Sequence, residues 1–464
     1  MNDPVVAYLA AAKTDILERF DSYLRMASVS TDPAYADHME AARQFLLDRL
    51  TQIGLDNVRL LDVGSGHPAV YAEWLGAPGA PTVLIYAHYD VQPPGPAALW
   101  TTPPFEPSLR DGRIYARGAS DVKGSTTIAI ETIAAFLAAE GWCPVNVKMF
   151  FEGEEEIGSP TLPAIVARYV DLLAADAMIS ADGGRGSLTG PTINAGMRGL
   201  ARLDFSVVTA AKDCHSGKYG GAIRNALHEM AALLGSLHDR DGAVTVAGFG
   251  DDAEPITNRR RAEAAALAMD EAAFLGDVGG IAAGNPAFTM RERLTLMPCI
   301  DINGMWGGYT GDGSMTVIPQ RASAKLTMRL APGQSPAKAL ADVEAHLRSR
   351  LSPGCSIEID VSTAVSSSYT LQADHPLIRA ARAVLVATTG REPVLMRHAA
   401  TIPIVDFFKK KLGLDTLMFG FHLPDEDIHA PIEFFRLSSF DVGFVAWPLL
   451  FRELAKFTPQ AMRS

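Results

Sequence analysis

Apolar positions recur at helical spacing twice in the first 55 residues. Val6, Leu9, Ile16, Phe20 and Tyr23 share one face, and Met39, Ala42, Leu46, Leu50 and Ile53 repeat the spacing before Gly54. Short β-rich runs follow at 57–61, 69–74 and 82–87. A proline-rich loop over 91–107 leads to a predicted helix over 122–139, a strand over 145–151, a helix over 162–173 and a strand over 177–180. Strands alternating with helices of this length predict an α/β fold, a mostly parallel sheet with helices on both faces.

After residue 197 the pattern changes. Leu203, Phe205 and Val207 alternate with polar residues, so this strand has one wet face. A helix is predicted over 222–237, then an irregular stretch with the basic triplet Arg259, Arg260 and Arg261, then a strand near 295–303. Ala322, Ala324, Leu326, Met328 and Leu330 alternate strictly, and Ser335-Pro336 is a good N-cap and N1 pair for a helix running to about 351. Ile357, Ile359 and Val361 alternate again, which completes the ferredoxin-like order β-α-β-β-α-β. A closing helix is predicted over 434–454. The expected organisation is one α/β domain, residues 1–197 and 363–464, interrupted by an α+β domain of residues 198–362.

Composition narrows the class. The 464 residues are 48% hydrophobic and 20% charged, enough for packed cores and no case for disorder. A net charge of −12 repels phosphate backbones and argues against a nucleic-acid partner. No apolar run is read as reaching the roughly 18 residues of a membrane span, and the stretch 442–451 contains Pro448. Met1-Asn2-Asp3-Pro4 does not open like a secretory signal. Cys143, Cys214, Cys299 and Cys355 lie far apart without a CxxC pair, so they read as reduced thiols of a cytoplasmic protein.

Five short segments carry candidate chemistry. His88 and Asp90 follow the strand at 82–87, on the edge where open α/β sheets place ligands. Asp121 ends Gly118-Ala119-Ser120-Asp121 at the start of a helix, where an N-cap is the ordinary role. The run Glu152-Gly153-Glu154-Glu155-Glu156 follows a buried strand, and crowded carboxylates there repel unless cations or shared protons compensate. Asp182 follows the strand at 177–180, and His422 and His429 lie in the segment 420–431. Each alone is a common turn, cap or solvated acidic face. Together, two histidines and three carboxylates make an oxygen and imidazole donor set suited to a pair of Zn²⁺ or Mn²⁺ ions.

The ordered set His88-x-Asp90, Gly118-x-x-Asp121, Glu155-Glu156-x-Gly158-Ser159, Asp182 and His429 resembles one family over essentially the whole chain. This is the dinuclear zinc peptidase family of carnosinase-type dipeptidases, glutamate carboxypeptidase, aminoacylase, acetylornithine deacetylase and succinyl-diaminopimelate desuccinylase. The resemblance implies two divalent ions, zinc first and manganese or cobalt as alternatives. Asp121 would bridge them, His88 and Asp182 would complete one site, and Glu156 and His429 the other. Glu155 would be the general base and acid, with Asp90 orienting His88. It implies a lid and dimerisation role for the inserted domain, with His215 of Asp213-Cys214-His215-Ser216-Gly217 offered to the substrate, in related dimers across the subunits. Thr316 and Arg329 resemble positions that hold the substrate carboxylate, and Arg397 to Pro403 resembles a substrate loop with Thr401 as its hydroxyl residue.

Three departures stand out. Ala399 and Ala400 replace a glycine pair, Ile432 replaces an asparagine, and His422 occupies a place where glycine is frequent. The activity implied is hydrolysis of dipeptides or short peptides with a free carboxylate. An N-acyl amino-acid deacylase is the near alternative, and a non-catalytic scaffold on this fold the distant one. Gly64-Ser65-Gly66-His67-Pro68-Ala69 superficially fits a dinucleotide fingerprint, but Pro68 and the β-like 70–74 replace the required helix.

Overall fold

A computed structural model describes residues 3–187, 190–267, 269–361 and 365–463. The start at Met1-Asn2 and the domain boundary expected at 362 and 363 lie outside the described residues. The chain divides into two compact units, Met1–Ala195 with Leu371–Leu395 and Phe408–Ser464, and Gly196–Thr370 with Met396–Phe407.

The first unit is built on a mixed sheet. Its order runs Asp56–Leu61, Ala69–Trp74, Asn146–Glu152, Thr82–His88, Ala177–Ser180, Thr416–Met418, Thr192–Met197. The four strands from Asn146–Glu152 to Thr416–Met418 are parallel, and the flanking pairs are antiparallel. Every residue of Asn146–Glu152 and Ala177–Ser180 is buried, which is why these strands read as continuous apolar runs. Register places His88 beside Glu152 and Tyr86 beside Ser180, so three parallel strands end on one edge.

Helices Gly124–Ala139, Pro376–Thr389 and Leu437–Leu454 belong to the same unit. Gly443 lets two of them approach, because a Cβ there would stand 2.8 Å from Ile128 Cδ1. Glu131 is buried on Gly124–Ala139 and accepts from Arg19 (Nη2, 2.9 Å) and Arg49 (Nε, 2.9 Å), which tie two N-terminal helices to it. The segment Ala119–Ala139, 21 residues, has the length and composition to cross a membrane, which the sequence reading passed over. Its apolarity comes from scattered Ala and Ile with single Val, Phe and Leu residues, interrupted by Ser and Thr, and 83% of the window is buried inside the protein.

The second unit carries a four-stranded antiparallel sheet in the order Cys299–Gly307, Arg321–Leu330, Gly199–Val208, Ser356–Val361. With helices Ala226–Gly235 and Pro336–Arg350 the chain order is β-α-β-β-α-β. Leu203, Phe205 and Val207 meet Met230, Leu326, Met328 and Val343 in its core. Ser335 caps the second helix by accepting from the Lys338 amide. The stretch after residue 238 is not irregular. It holds helices Asn258–Ala266, Glu271–Val278 and Met290–Thr295, capped by Thr257, Asp270 and Thr289, and the basic triplet lies in the first. These helices lack a clear apolar stripe, so periodicity missed them although their caps are plain. The closing helix starts at Leu437, because Phe434–Arg436 pairs as a strand with Arg113–Tyr115.

Glu131→Ala leaves two arginines without their buried acid. It should cost about 3 kcal/mol, seen as a lower denaturation midpoint with unchanged activity per folded molecule. A midpoint equal to wild type would show that Glu131 does not fasten the helices.

Candidate metal centre

The site forms where the parallel strands end. His88 closes the strand Thr82–His88 and is fully buried. Its Nδ1 lies 3.0 Å from the Asp90 carbonyl and 3.5 Å from the Asp90 carboxylate, so the backbone oxygen is the nearer partner. The Asp90 carboxylate accepts instead from Ser30 Oγ (2.7 Å) and from the amides of Glu155 (3.3 Å) and Glu156 (3.1 Å). One residue thereby fixes both the histidine and the acidic turn.

The acidic run divides by role. Glu152 is buried and accepts from Tyr86 Oη at 2.7 Å. Glu154 accepts from the His67 and Thr161 amides at 2.9 and 3.0 Å, which explains the turn at Gly64 to His67 without any nucleotide. Glu155 and Glu156 are left to face the site. Glu156 is held by Gln92, through its amide at 3.1 Å and its side chain at 2.8 Å.

Asp121 does not cap the helix; no cap bond from its side chain forms. Its two oxygens face different histidines, Oδ1 at 3.2 Å from His88 Nε2 and Oδ2 at 2.8 Å from His429 Nε2. Glu433 sets this loop. Buried, it accepts from the Gly118 (2.9 Å), Ser120 (2.8 Å) and Asp121 (3.0 Å) amides and from Arg117 Nη1 (2.7 Å). Gly118 has φ +81°, and a Cβ would come within 2.5 Å of Val91. Sequence reasoning missed Glu433, Gln92 and Ser30, because a buried acid among loop amides has no spacing signature.

Two donor groups result. His88, Asp121 and Asp182 have ligand atoms within 4.8 Å of one another, and so do Asp121, Glu156 and His429. Asp121 is common to both, and imidazole with carboxylate suits divalent zinc, manganese or cobalt. The donor chemistry fits a pair of cations. Burial pushes the Glu155 carboxyl well above its usual range; nearby His88 opposes this, while Asp182, Asp121 and Glu156 add to it. Burial also lifts Asp182 to about 7, against His88 and with Asp121. Hydrogen bonds to Asp121 and Glu156 raise His429 to about 10. The protein alone under-compensates the negative charge gathered here.

His429 sits in a loop where Asp427, His429 and Ile432 have φ +51°, +62° and +63°. Asparagine tolerates this region and a β-branched residue does not. His422 packs over Gly184, where a Cβ would be 2.1 Å from its Nε2.

The other candidates lie in the second unit. His215 Nδ1 accepts from the Gly217 amide at 3.0 Å, and the strand Cys214–His215 pairs with Val317–Ile318 beside Thr316, whose carbonyl accepts from Ser216. Arg329 Nη1 donates to Thr401 Oγ1 at 3.1 Å, and Thr401 donates to the Arg198 carbonyl at 2.8 Å. Arg397 is ion-paired with Glu263 at 3.1 Å. Arg198, not singled out from sequence, holds the Ala399 carbonyl at 2.9 Å.

A sequence model of peptidase family M20/M25/M40 matches residues 84–453. The chain is 28% identical to Beta-Ala-His dipeptidase of Rattus norvegicus, covering 97% of this chain and 94% of that protein. It is 28% identical to Cysteinylglycine-S-conjugate dipeptidase of Corynebacterium striatum, covering 89% and 90%. Human carnosine dipeptidase 1 aligns in structure with TM-score 0.78 at 26% identity, covering 98% of both chains. A metallo-carboxypeptidase from Sulfolobus solfataricus aligns with TM-score 0.81 at 28% identity, covering 95% and 99%.

Replacing Ile432 by asparagine should relieve its backbone strain and raise stability by about 1 kcal/mol, read as a higher melting temperature. A lower melting temperature would show that the isoleucine side chain contributes more than its backbone costs.

Proposed function

The chain belongs to peptidase family M20/M25/M40, and from that premise we propose that it is a dinuclear, zinc-preferring dipeptidase. One observation carries this reading: Asp121 presents one oxygen to each of two histidines, with Asp182 completing one donor group and Glu156 the other. Asp121 would help hold both ions, His88 and Asp182 one of them, and Glu156 and His429 the other. The pair, when bound, supplies Lewis acidity to the scissile carbonyl and lowers the pKa of water. Dipeptidases among the relatives support the substrate class.

The chain's own groups then divide the work. Glu155 takes a proton from the attacking water on one carboxylate oxygen and returns it to the leaving amine nitrogen. Asp90 keeps the Glu155–Glu156 turn in place by accepting both amides, while its carbonyl orients His88. His215 donates to the carbonyl oxygen as charge develops on it. Arg329 pairs with the substrate carboxylate, with Thr316 and Thr401 as hydroxyl partners. Arg397, already paired with Glu263, shapes the loop that carries Thr401. We further propose a homodimer formed through the second unit. The four cysteines are all free thiols, which supports a cytoplasmic location.

Purified zinc-loaded protein should hydrolyse members of a dipeptide panel faster than N-acyl amino acids. The reverse ranking would favour the deacylase reading, and no turnover of either class would favour a scaffold. Glu155→Gln should lower kcat by about 10²–10⁴ while metal content measured by mass spectrometry stays at the wild-type level; wild-type turnover in this variant would remove Glu155 from the mechanism. Arg329→Lys should raise KM about tenfold with a smaller change in kcat. An unchanged KM would place the substrate carboxylate elsewhere.

A further inference from the structure

The second unit contains a cavity of about 640 Å³ that no step above uses. This lies within the roughly 300–1,000 Å³ of small-molecule sites. The helices that sequence periodicity missed, Glu271–Val278 and Met290–Thr295, form much of its wall. Phe249, Phe274, Met290 and Leu294 make the lining largely apolar.

The polar part of the lining holds two arginines, Arg198 and Arg293, beside His238, Asn285, Cys299 and one acid, Asp301. Arg198 is 6% exposed, and its bonds go to neutral partners: the Ala399 carbonyl at 2.9 Å, the Met297 carbonyl at 3.4 Å and the Cys299 thiol at 3.7 Å. Arg293 donates to the Asn285 carbonyl at 3.3 Å. Among the described residues neither guanidinium has a carboxylate within ion-pair distance. Asp301, the acid on the wall, is itself 3.6 Å from the Cys299 thiol. Arg198 is buried and keeps its proton, and with Asp301 acting on it only from beyond ion-pair distance and Arg329 opposing, its desolvation remains a cost unless a guest compensates it. A neutral apolar guest leaves that cost in place, and a dianion meets Asp301.

We propose that this cavity binds a small monocarboxylate with an apolar tail, the carboxylate on the wall bearing Arg198 and Arg293 and the tail along Phe249, Phe274, Met290 and Leu294.

Calorimetric titration of the metal-loaded full chain with sodium octanoate tests it. Saturable binding of one octanoate per chain is expected, weakened at least about tenfold by Arg293→Gln and lost in Leu294→Trp, which fills the cavity. 1-Octanol, with the same tail and no charge, should bind at least about tenfold more weakly than octanoate. A carboxylate can also sit on divalent ions, so the titration is repeated with Asp121→Asn, where the site should persist. If Leu294→Trp melts early, Arg293→Gln alone decides, because it changes a partly exposed side chain. Absence of saturable binding overturns the proposal. So does octanol binding as tightly as octanoate, or a signal lost in Asp121→Asn but kept in Arg293→Gln.

Discussion

Four carboxylates, Asp121, Glu155, Glu156 and Asp182, are gathered at one edge of a sheet, and their mutual repulsion is the constraint the rest of the site answers. Like charges about 4 Å apart oppose each other by roughly 4 kcal/mol at the effective dielectric of a protein surface. His88 and His429 offset part of this through Asp121, yet burial first, with the neighbouring acids adding to it, keeps Glu155 and Asp182 above the ordinary carboxylate range. Such an arrangement is costly in a bare protein and favourable once divalent charge enters. The same crowding that disfavours the free site therefore favours divalent cations, and the proton transfer proposed for Glu155 rests on it.

Holding the acids together requires supports that do not themselves face the site. Parallel pairing brings the ends of Thr82–His88, Asn146–Glu152 and Ala177–Ser180 to one edge. Glu433 gathers three backbone amides and Arg117 to fix the loop of Asp121. Asp90 spends its carboxylate on the Glu155 and Glu156 amides. Buried acids thus serve as rigid anchors for neighbouring amides, which is why they are hydrogen-bonded so fully.

Much of this was legible in the sequence. Buried parallel strands announce themselves as apolar runs, and the alternation after residue 197 marked a sheet with one wet face. Among the candidate donors, His88, Glu156 and Asp182 stood out because each lies at or just past a strand end, whereas Asp121 stood at a helix start and His429 in a late loop. What stayed hidden depends on tertiary contact. Nothing in the spacing of Glu433 shows that it would cradle Asp121, and nothing in the acidic run shows that Glu154 would be taken up by the His67 and Thr161 amides. The three helices between residues 258 and 295 lack an apolar stripe, so only their caps could have revealed them. Arg198 was hidden for the same reason as Glu433, because its partners are backbone carbonyls distant in sequence.

Under the proposed function Asp121 would be shared by two cations. Zinc titration of metal-stripped protein, followed by mass-spectrometric counting of bound ions, tests it most directly. Two zinc ions per wild-type chain are expected, with loss of tight binding at both positions in Asp121→Asn and the fold retained by circular dichroism. One ion per wild-type chain, or two ions kept in Asp121→Asn, would contradict it.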